Sequence, residues 1–429
     1  MLLGCIADDF TGATDLANNL VRNGMRCIQT IGLPPPELAD ELAEQTDAVV
    51  IALKSRTTAP DQAIGESIAA LHWLEAAGCQ QIYFKYCSTF DSTDQGNIGP
   101  VTDALMKAMA AEFTIACPAF PEAGRTIFKG HLFVGDVLLS DSGMKDHPLT
   151  PMTDSNLVRV LQRQSAHKVG LIPYDTLAGG VTATQEKITA LKSEGIGIAI
   201  ADALHDADLH TLAQACAGLR LLTAGSGVAI GLPENFRRQG VLKPNQTAST
   251  LPAIDGPAVV LSGSCSQATL QQVDIYKQSN PCYVVDPLRA ARGEPVVDEA
   301  VAMALDAQSQ GKAALICASA APEQVRAIQE SLGRDAAGAV VEQTLAACAA
   351  QLLEQGTRRF VVAGGETSGA VVNALNVLAL RIGPQIDPGV PWTASVGAVP
   401  LAITLKSGNF GAPGFFQKAL DMLDTRPSE

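Results

Sequence analysis

Two adjacent aspartates, Asp8 and Asp9, follow the first apolar run of the chain and open an amphipathic stretch. Ligands of open α/β sheets bind at the carboxyl ends of strands, which is where this pair is expected. A carboxylate there could accept a proton from a hydroxyl or hold Mg²⁺, and Thr11 could cap the helix that follows. A helix cap needs only one side chain, so the pair favours a catalytic role.

Cationic and hydroxyl side chains follow three later apolar runs of the same half. Arg56 comes after residues 48–53, and its planar fork predicts a contact with a carboxylate of the substrate. Residues 85–99 are rich in hydroxyls and turn formers, which is typical of a polar ligand loop. This loop contributes one catalytic candidate, Asp91, and two substrate-binding candidates, Lys85 and Ser92. Residues 118–131 add Arg125 and His131 as further substrate-binding candidates.

Three Gly/Ser turns follow apolar runs in the second half, at residues 261–266, 364–369 and 406–411. Backbone amides at such turns suit phosphates, although a single turn of this kind is often only a helix cap. Three of them in one domain favour a polyphosphate cradle over tight turns alone. A Walker GxxxxGK[ST] pattern does not occur, and residues 225–231 miss the dinucleotide fingerprint by one position.

Charge and composition restrict the classes of partner. Thirty basic and 44 acidic side chains give a net charge of −14, which disfavours nucleic acid and anionic membranes as partners. The ten cysteines contain no CxxC pair, and we expect reduced, mostly buried thiols. The amino terminus lacks the pattern of a signal peptide, and no apolar run approaches the roughly 20 residues of a membrane span. We therefore expect a cytoplasmic protein.

Short apolar runs alternate with amphipathic stretches along the chain, which predicts an α/β fold with two domains and largely parallel sheets. A polar, Pro-rich segment predicts a linker at residues 243–257, between domains at 1–242 and 258–429. Residues 128–141 predict a hairpin around Gly135 and Asp136. The predicted strands are 2–7, 48–53, 81–86, 114–117, 169–173, 196–201, 219–223, 258–261, 282–286, 313–317, 360–363 and 402–405.

Taken together, these segments resemble the four-carbon acid sugar kinase family over nearly the whole chain, and within it the branch that acts on 3-oxo-tetronate. The motifs are ADDFTGA at 7–13, DST at 91–93 with GNIG at 96–99, CPAFP at 117–121, GHLFV at 130–134, HPLTPM at 147–152 and GGETSG at 364–369. The resemblance implies a sugar-acid domain, an ATP domain and an active site in the cleft between them. The nucleotide contacts that it implies are Ser262, Gly364, Gly365, Glu366, Thr367 and Gly408.

The resemblance also implies a reaction, the transfer of the γ-phosphoryl of ATP to the terminal hydroxyl of a four-carbon sugar acid, with Mg²⁺ neutralising phosphate charge. Asp8 or Asp9 would accept the hydroxyl proton, Asp91 and its loop would hold the substrate hydroxyls, and Arg56 and Arg125 are candidates for its carboxylate. The acid could be 3-oxo-tetronate, threonate or erythronate. Two other classes stay open, a nucleotide-responsive binding protein without turnover and an NAD-dependent oxidoreductase. A homodimer is also possible.

Overall fold

The computed structural model describes residues 1–36, 38–147, 149–320 and 322–424. Pro148 of the HPLTPM motif and the last five residues of the predicted second domain lie outside the described residues. The chain divides into two compact units, Met1–Ser249 and Thr250–Glu429. The predicted linker spans this division. Each unit contains paired, mostly parallel strands flanked by helices, so the predicted α/β class is confirmed.

The first unit is built on a parallel sheet with the strand order β2-β3-β1-β4-β11-β5-β10-β9. The last of these strands in sequence, β11, lies between β4 and β5. Strands β1 and β3 are buried along their whole length, which is why both read as uninterrupted apolar runs. The strands are β1 Leu3–Ala7, β2 Cys27–Ile31, β3 Ala48–Ala52, β4 Gln81–Lys85, β5 Thr114–Cys117, β9 Lys168–Ile172, β10 Ile196–Ala201 and β11 Leu221–Ala224.

Local signals explain where several helices of this unit begin. The first helix is capped by Asp9, whose carboxylate accepts the amide of Gly12, and the third helix has Pro60 in its first turn. The helices are α1 Phe10–Arg22, α2 Leu38–Gln45, α3 Pro60–Ala76, α4 Ile98–Ala108, α5 Leu157–Gln164, α6 Tyr174–Ala178, α7 Gly180–Ser193, α8 Asp206–Ala215 and α9 Leu232–Arg238.

A small antiparallel sheet stands apart from the parallel one in the first unit. It comprises β6 Arg125–Phe128, β7 His131–Val134 and β8 Val137–Leu138. Gly135 and Asp136 connect β7 to β8, as the sequence predicts. Lys129 and Gly130 connect β6 to β7, and both have a positive φ, a conformation that favours glycine.

The second unit has a mixed sheet with the strand order β13-β14-β12-β15-β18-β17-β16, in which β17 pairs antiparallel with both neighbours. Its strands are β12 Ala258–Ser262, β13 Cys282–Val284, β14 Ala314–Cys317, β15 Arg359–Ala363, β16 Ala379–Asp387, β17 Val390–Val396 and β18 Ala402–Lys406. Its helices are α10 Gln267–Tyr276, α11 Pro287–Ala291, α12 Val296–Ser309, α13 Pro322–Leu332, α14 Arg334–Glu354, α15 Gly365–Ala374 and α16 Phe415–Asp424.

Helix α14 is, within the described part of the chain, the helix long and apolar enough to cross a membrane, with a mean hydropathy of 1.3. Core helices meet the same criterion. This helix packs against α12 and α15, and it buries Leu345, Cys348 and Leu352. One such helix is weak evidence for a membrane span. The ten cysteines of the chain are free thiols, and each is buried or half-buried.

Candidate functional site

The register of three neighbouring strands brings Asp8, Arg56 and Lys85 to one edge of the first sheet. Ala7, the last residue of β1, is paired with Ala52 of β3 and with Lys85 of β4. The chain after β3 turns back on β1, since the amides of Ser55 and Arg56 both donate to the carbonyl of Asp8. The polar strand exits predicted from the sequence therefore lie side by side.

Arg56 is held by two of the aspartates. Its Nε and Nη2 donate to the two oxygens of Asp8 at 2.8 and 2.9 Å, and Nη2 also donates to Asp9 Oδ1 at 2.7 Å. The sequence analysis assigned this fork to the substrate, whereas in the structure Asp8 occupies it. Nη1 makes no hydrogen bond with the described residues and lies 3.7 Å from Asp91 Oδ2. At most this one nitrogen is available to a ligand.

Lys85 is the second cation of the cluster. Its Nζ lies 3.2 Å from Asp9 Oδ1 and 4.0 Å from Asp8 Oδ1, and its side chain is 5% exposed. Gly12 makes this position possible, because a Cβ at residue 12 would come within 1.7 Å of Nζ. The sequence analysis placed Gly12 in a motif but gave it no role. Gly12 is needed for the space that it leaves beside Lys85 and not for an unusual backbone conformation, because its φ is not positive.

The two adjacent aspartates differ in their environments. Asp9 accepts the Thr11 hydroxyl and the Gly12 amide, so the helix cap and the ion pairs fall on the same side chain. Burial acts to raise the pKa of Asp9, but Arg56 and Lys85 outweigh it and hold that pKa well below its usual value. At Asp8, burial outweighs the attraction of Arg56 and the pKa is raised. Asp9 is thus the more firmly ionised and the weaker proton acceptor.

Asp91 lies on the opposite side of Arg56 from this pair. Its Oδ1 accepts the Thr89 hydroxyl at 2.6 Å, and its Oδ2 accepts no hydrogen bond from the described residues. The next residue, Ser92, is buried, with its hydroxyl donating to Gln164 at 3.2 Å. Ser92 and Thr93 line a cavity of about 350 Å³ together with Pro151 and Met152. Two of the recognised motifs, DST and HPLTPM, therefore enclose one space.

The structure places Arg125 and His131 away from these carboxylates, on the small antiparallel sheet. Arg125 Nη1 donates to the carbonyl of Ala123, while its buried Nε has no partner among the described residues. His131 Nδ1 lies 2.9 Å from the carbonyl of Lys129, and Nε2 lies 3.3 Å from Asn156 Nδ2. Both side chains are thus engaged locally, and neither forms an ion pair with Asp8, Asp9 or Asp91.

Two polar groups near the cluster received no role in the sequence analysis, although Asn97 lies in the GNIG motif. Asn97 Nδ2 donates to the carbonyls of Ser55, Arg56 and Thr58, which fixes the loop that carries the guanidinium. Asp15 is buried one turn into α1 and accepts the Ser226 hydroxyl. Burial raises the pKa of Asp15 to about 6. The sequence around Asp15 carries only ordinary helix signals, and the GNIG motif does not indicate which groups Asn97 contacts.

The three Gly/Ser turns of the second unit meet because their strands are neighbours. Strands β12, β15 and β18 are adjacent, and Ser262, Ala363 and Lys406 end them in register. A Cβ at Gly263 would come 2.2 Å from Thr367 Oγ1, so the first two turns touch. Ser262 itself is buried, with its hydroxyl 2.8 Å from that of Ser319.

The third turn closes on the first. A Cβ at Gly408 would come 2.5 Å from Ser264 Oγ, and the Gly408 carbonyl accepts the hydroxyls of Ser266 and Thr269 at 2.6 and 2.8 Å. Gly365 is the contrasting glycine, because nothing lies within 4 Å of where its Cβ would be. It opens α15, so the free space lies in front of a helix N-terminus. Such a space fits a phosphate group.

A cavity of about 240 Å³ adjoins these turns. Gly263, Glu366 and Thr367 form its side towards the turns. Most of its other lining is apolar: Cys265, Pro287, Ala318, Ala320, Val325, Ile328, Ala337 and Val341. An apolar cavity that opens beside backbone amides has the character of a nucleotide site, with one part for the base and another for the phosphates.

Comparisons with known proteins agree with this division. A sugar-binding N-terminal domain matches residues 3–232, and a nucleotide-binding C-terminal domain matches residues 259–416. A 3-oxo-tetronate kinase of Cupriavidus necator is 62% identical over 423 residues, covering 98% of this chain and 97% of that protein. A 3-oxo-tetronate kinase of Burkholderia multivorans is 60% identical over 423 residues, covering 99% and 97%.

A solved structure extends the agreement to the fold. A crystal structure from Salmonella typhimurium LT2 is 46% identical and superposes with a TM-score of 0.86, covering 97% of this chain and 98% of that one. The first unit is therefore a sugar-binding domain and the second a nucleotide-binding domain. With both domains matched and relatives this similar over nearly its whole length, the chain belongs to the four-carbon acid sugar kinase family.

Proposed function

We propose that this chain is an ATP-dependent kinase that phosphorylates the terminal hydroxyl of 3-oxo-tetronate. The observation that carries the proposal is the cluster of Asp8, Asp9 and Asp91 around Arg56 and Lys85, at the edge of a sheet where ligands bind. The choice of acid is supported by the names of the relatives from Cupriavidus necator and Burkholderia multivorans.

Asp91 is the proton acceptor in this proposal. A general base needs an oxygen within hydrogen-bond reach of the hydroxyl, and Asp91 Oδ2 accepts no hydrogen bond from the described residues, with Arg56 Nη1 3.7 Å away. Both oxygens of Asp8 are taken by Arg56, and those of Asp9 are shared among Arg56, Lys85, Thr11 and Gly12. We assign these two aspartates to holding the cations rather than to proton transfer.

The cations of the cluster have a different part. A four-carbon acid carries one carboxylate, which must be neutralised in a protein of net charge −14. Arg56 Nη1 and Lys85 Nζ are our candidates for the cation that neutralises it. Nη1 makes no hydrogen bond with the described residues, and Nζ contacts only carboxylates, which hold it in place. Arg125 stays a candidate only if its orphaned Nε turns towards the substrate.

The nucleotide is assigned to the second unit. ATP supplies the γ-phosphoryl group. The turns around Gly364, Gly365 and Gly408 would hold its phosphates, and the apolar cavity beside Glu366 and Thr367 would take the base. Mg²⁺ is proposed with it. The described residues contain no group of three or more His, Cys, Asp or Glu side chains arranged to hold a metal ion, which suits an ion bound mainly through phosphates and water.

A coupled assay of ADP release tests the proposal. Purified protein is given ATP, Mg²⁺ and, in separate reactions, 3-oxo-tetronate, threonate and erythronate. We expect turnover with 3-oxo-tetronate and identification of a 4-phosphate product by mass spectrometry and NMR. Preferred turnover of threonate or erythronate would keep the kinase and change the substrate. ATP binding without turnover of any of the acids would favour the binding protein instead.

Two further properties stay predictions. A homodimer is checked by size-exclusion chromatography with light scattering on the purified chain. A cytoplasmic location is checked by fractionation of cells that produce it.

A further inference from the structure

Lys406 is a lysine with no exposed surface, at the last position of β18. Its Nζ donates to Thr269 Oγ1 at 2.9 Å and to the carbonyls of Ser407 and Gly408 at 3.1 Å each. These three acceptors use the three protons of an ammonium group. The side chain is therefore ordered by its contacts rather than directed to solvent.

The charge of Lys406 is not balanced by an acid. No carboxylate among the described residues forms an ion pair with it, and its three acceptors are uncharged oxygens. Burial lowers the pKa of Lys406 to about 7. A buried, unpaired ammonium is unfavourable, so its place in the fold calls for a counter-charge.

The position of this ammonium connects it to all three turns. The carbonyl of Gly408, in the third turn, accepts hydrogen bonds from Lys406 Nζ and from the Thr269 hydroxyl. Thr269 lies in the first turn of α10, which directly follows the first Gly/Ser turn. The backbone carbonyl of Lys406 accepts the amide of Gly364 in the second turn at 2.8 Å. One residue thus joins the three segments that would surround the phosphates.

We propose that Lys406 is a positioning residue of the nucleotide site, whose ammonium fixes the Gly408 turn and finds its counter-charge in the bound polyphosphate. This inference rests on the proposed function, because it takes the three turns as the phosphate site. It explains why a lysine occupies a position where an apolar residue would be easier to bury. It also accounts for the absence of a lysine of the Walker kind, since the cation lies behind the turns and not within a GK[ST] motif.

The Lys406→Met change removes the charge and the three hydrogen bonds while keeping a long unbranched side chain. Binding of ATP and of adenosine to the intact protein is measured separately by calorimetry. We expect ATP affinity to fall by about tenfold or more, with adenosine affinity unchanged, because adenosine has no phosphate. Lys312→Met is the matched control. It removes an exposed lysine two residues before β14, at the amino-terminal end of that strand, and both affinities should stay as in the wild type.

Three results would overturn the inference. They are unchanged ATP affinity in Lys406→Met, an equal loss for ATP and adenosine, and an equal loss of ATP affinity in Lys312→Met. Should Lys406→Met fail to fold, Thr269→Val serves instead. It removes the hydroxyl that Nζ and Gly408 share, and it should weaken ATP alone, whereas unchanged ATP affinity would again refute the role. If the wild type itself bound neither ligand, the proposed function would fail first.

Discussion

The candidate substrate site of the first unit and the three turns of the second treat charge in opposite ways. In the first unit, Arg56 and Lys85 are surrounded by Asp8, Asp9 and Asp91, so the protein supplies its own counter-charges. At the turns, Lys406 is bonded only to neutral oxygens. With the roles proposed above, the candidate substrate site is electrostatically organised before a ligand arrives, whereas the turns obtain their counter-charge from the bound phosphates.

This difference predicts how each site responds to mutation. A change among the paired charges should disturb catalysis, because each side chain holds another in place. A change at the turns should disturb nucleotide affinity and leave the reacting groups of the first unit intact. The following variants test this contrast, from the largest expected effect to the smallest.

Asp91→Asn should lower kcat by about 10² to 10⁴, the usual loss for a general base. Asparagine can still accept the Thr89 hydroxyl, so the fold and the ATP affinity should hold. Steady-state kinetics on the Asp94→Asn protein provides the control, since Asp94 lies in the same loop but is exposed. A turnover within a few-fold of wild type in Asp91→Asn would move the base to Asp8.

Gly12→Ala should lower kcat/KM by about 10²-fold, because the new methyl group would displace Lys85 Nζ and the Asp9 carboxylate. The control is Gly65→Ala in α3, where no atom lies within 4 Å of the added carbon. That change should leave kcat/KM unaltered and stabilise the helix slightly. Wild-type kinetics for Gly12→Ala would show that the position of Lys85 is not needed for the reaction.

Gly365→Val should raise the KM for ATP by about tenfold and leave the KM for the sugar acid unchanged. The reason is steric, because the valine side chain would fill the open space in front of α15. Thermal unfolding should be close to that of the wild type, since this glycine lacks a positive φ. A KM for ATP equal to that of the wild type would remove this space from the nucleotide site.

Asp15→Asn should make the protein more stable at neutral pH without a large effect at acid pH. The folded-state pKa of Asp15 is raised to about 6 from a reference value of 3.8, so the folded protein holds this proton more tightly than the unfolded chain. The associated stability is present below pH 3.8 and is lost as the pH rises to 6.

Asparagine does not ionise, so this loss is absent from the variant. Its free energy of unfolding should exceed that of the wild type by about 1 to 3 kcal/mol at pH 7.5 and differ little from it at pH 3.5. Urea unfolding at both pH values measures it. The exposed turn change Asp136→Asn should alter stability by less than about 0.5 kcal/mol at either pH. Equal stabilities of wild type and Asp15→Asn at pH 7.5 would contradict the burial of a charge at Asp15.

Most of the parallel strands could be predicted from their apolar runs, including β4 and β18, which also contain polar residues, whereas β2, β16 and β17 were missed. Strands β5 and β10 have the predicted bounds. Strand β2 was missed because Gln29 is buried in it, where its amide bonds to Thr14 and to the carbonyl of Phe10. Strands β16 and β17 were missed because Pro384 and Pro391 interrupt the pattern, and the register of this antiparallel pair shifts near both.

The residue types of the site could be predicted, but their partners could not. Asp8, Arg56 and Lys85 stand at strand exits, and parallel pairing is sufficient to bring such residues to one edge. The groups that the Arg56 guanidinium contacts depend on how Asn97 holds the loop that carries Arg56. The two residues are about forty positions apart, so no local sequence pattern indicates this contact. Lys406 lay inside a recognised turn, yet its burial follows from the contact of that turn with Thr269, far away in sequence.

The position of β11 has a consequence for synthesis on the ribosome. This strand separates β4 from β5, although residues 221–224 are made after all the other strands of its sheet. A nascent chain that has not reached them can pair β2-β3-β1-β4 and β5-β10-β9 only as two partial sheets with open edges. Unpaired strand edges promote association between chains, so the nascent chain is most vulnerable to aggregation until β11 emerges.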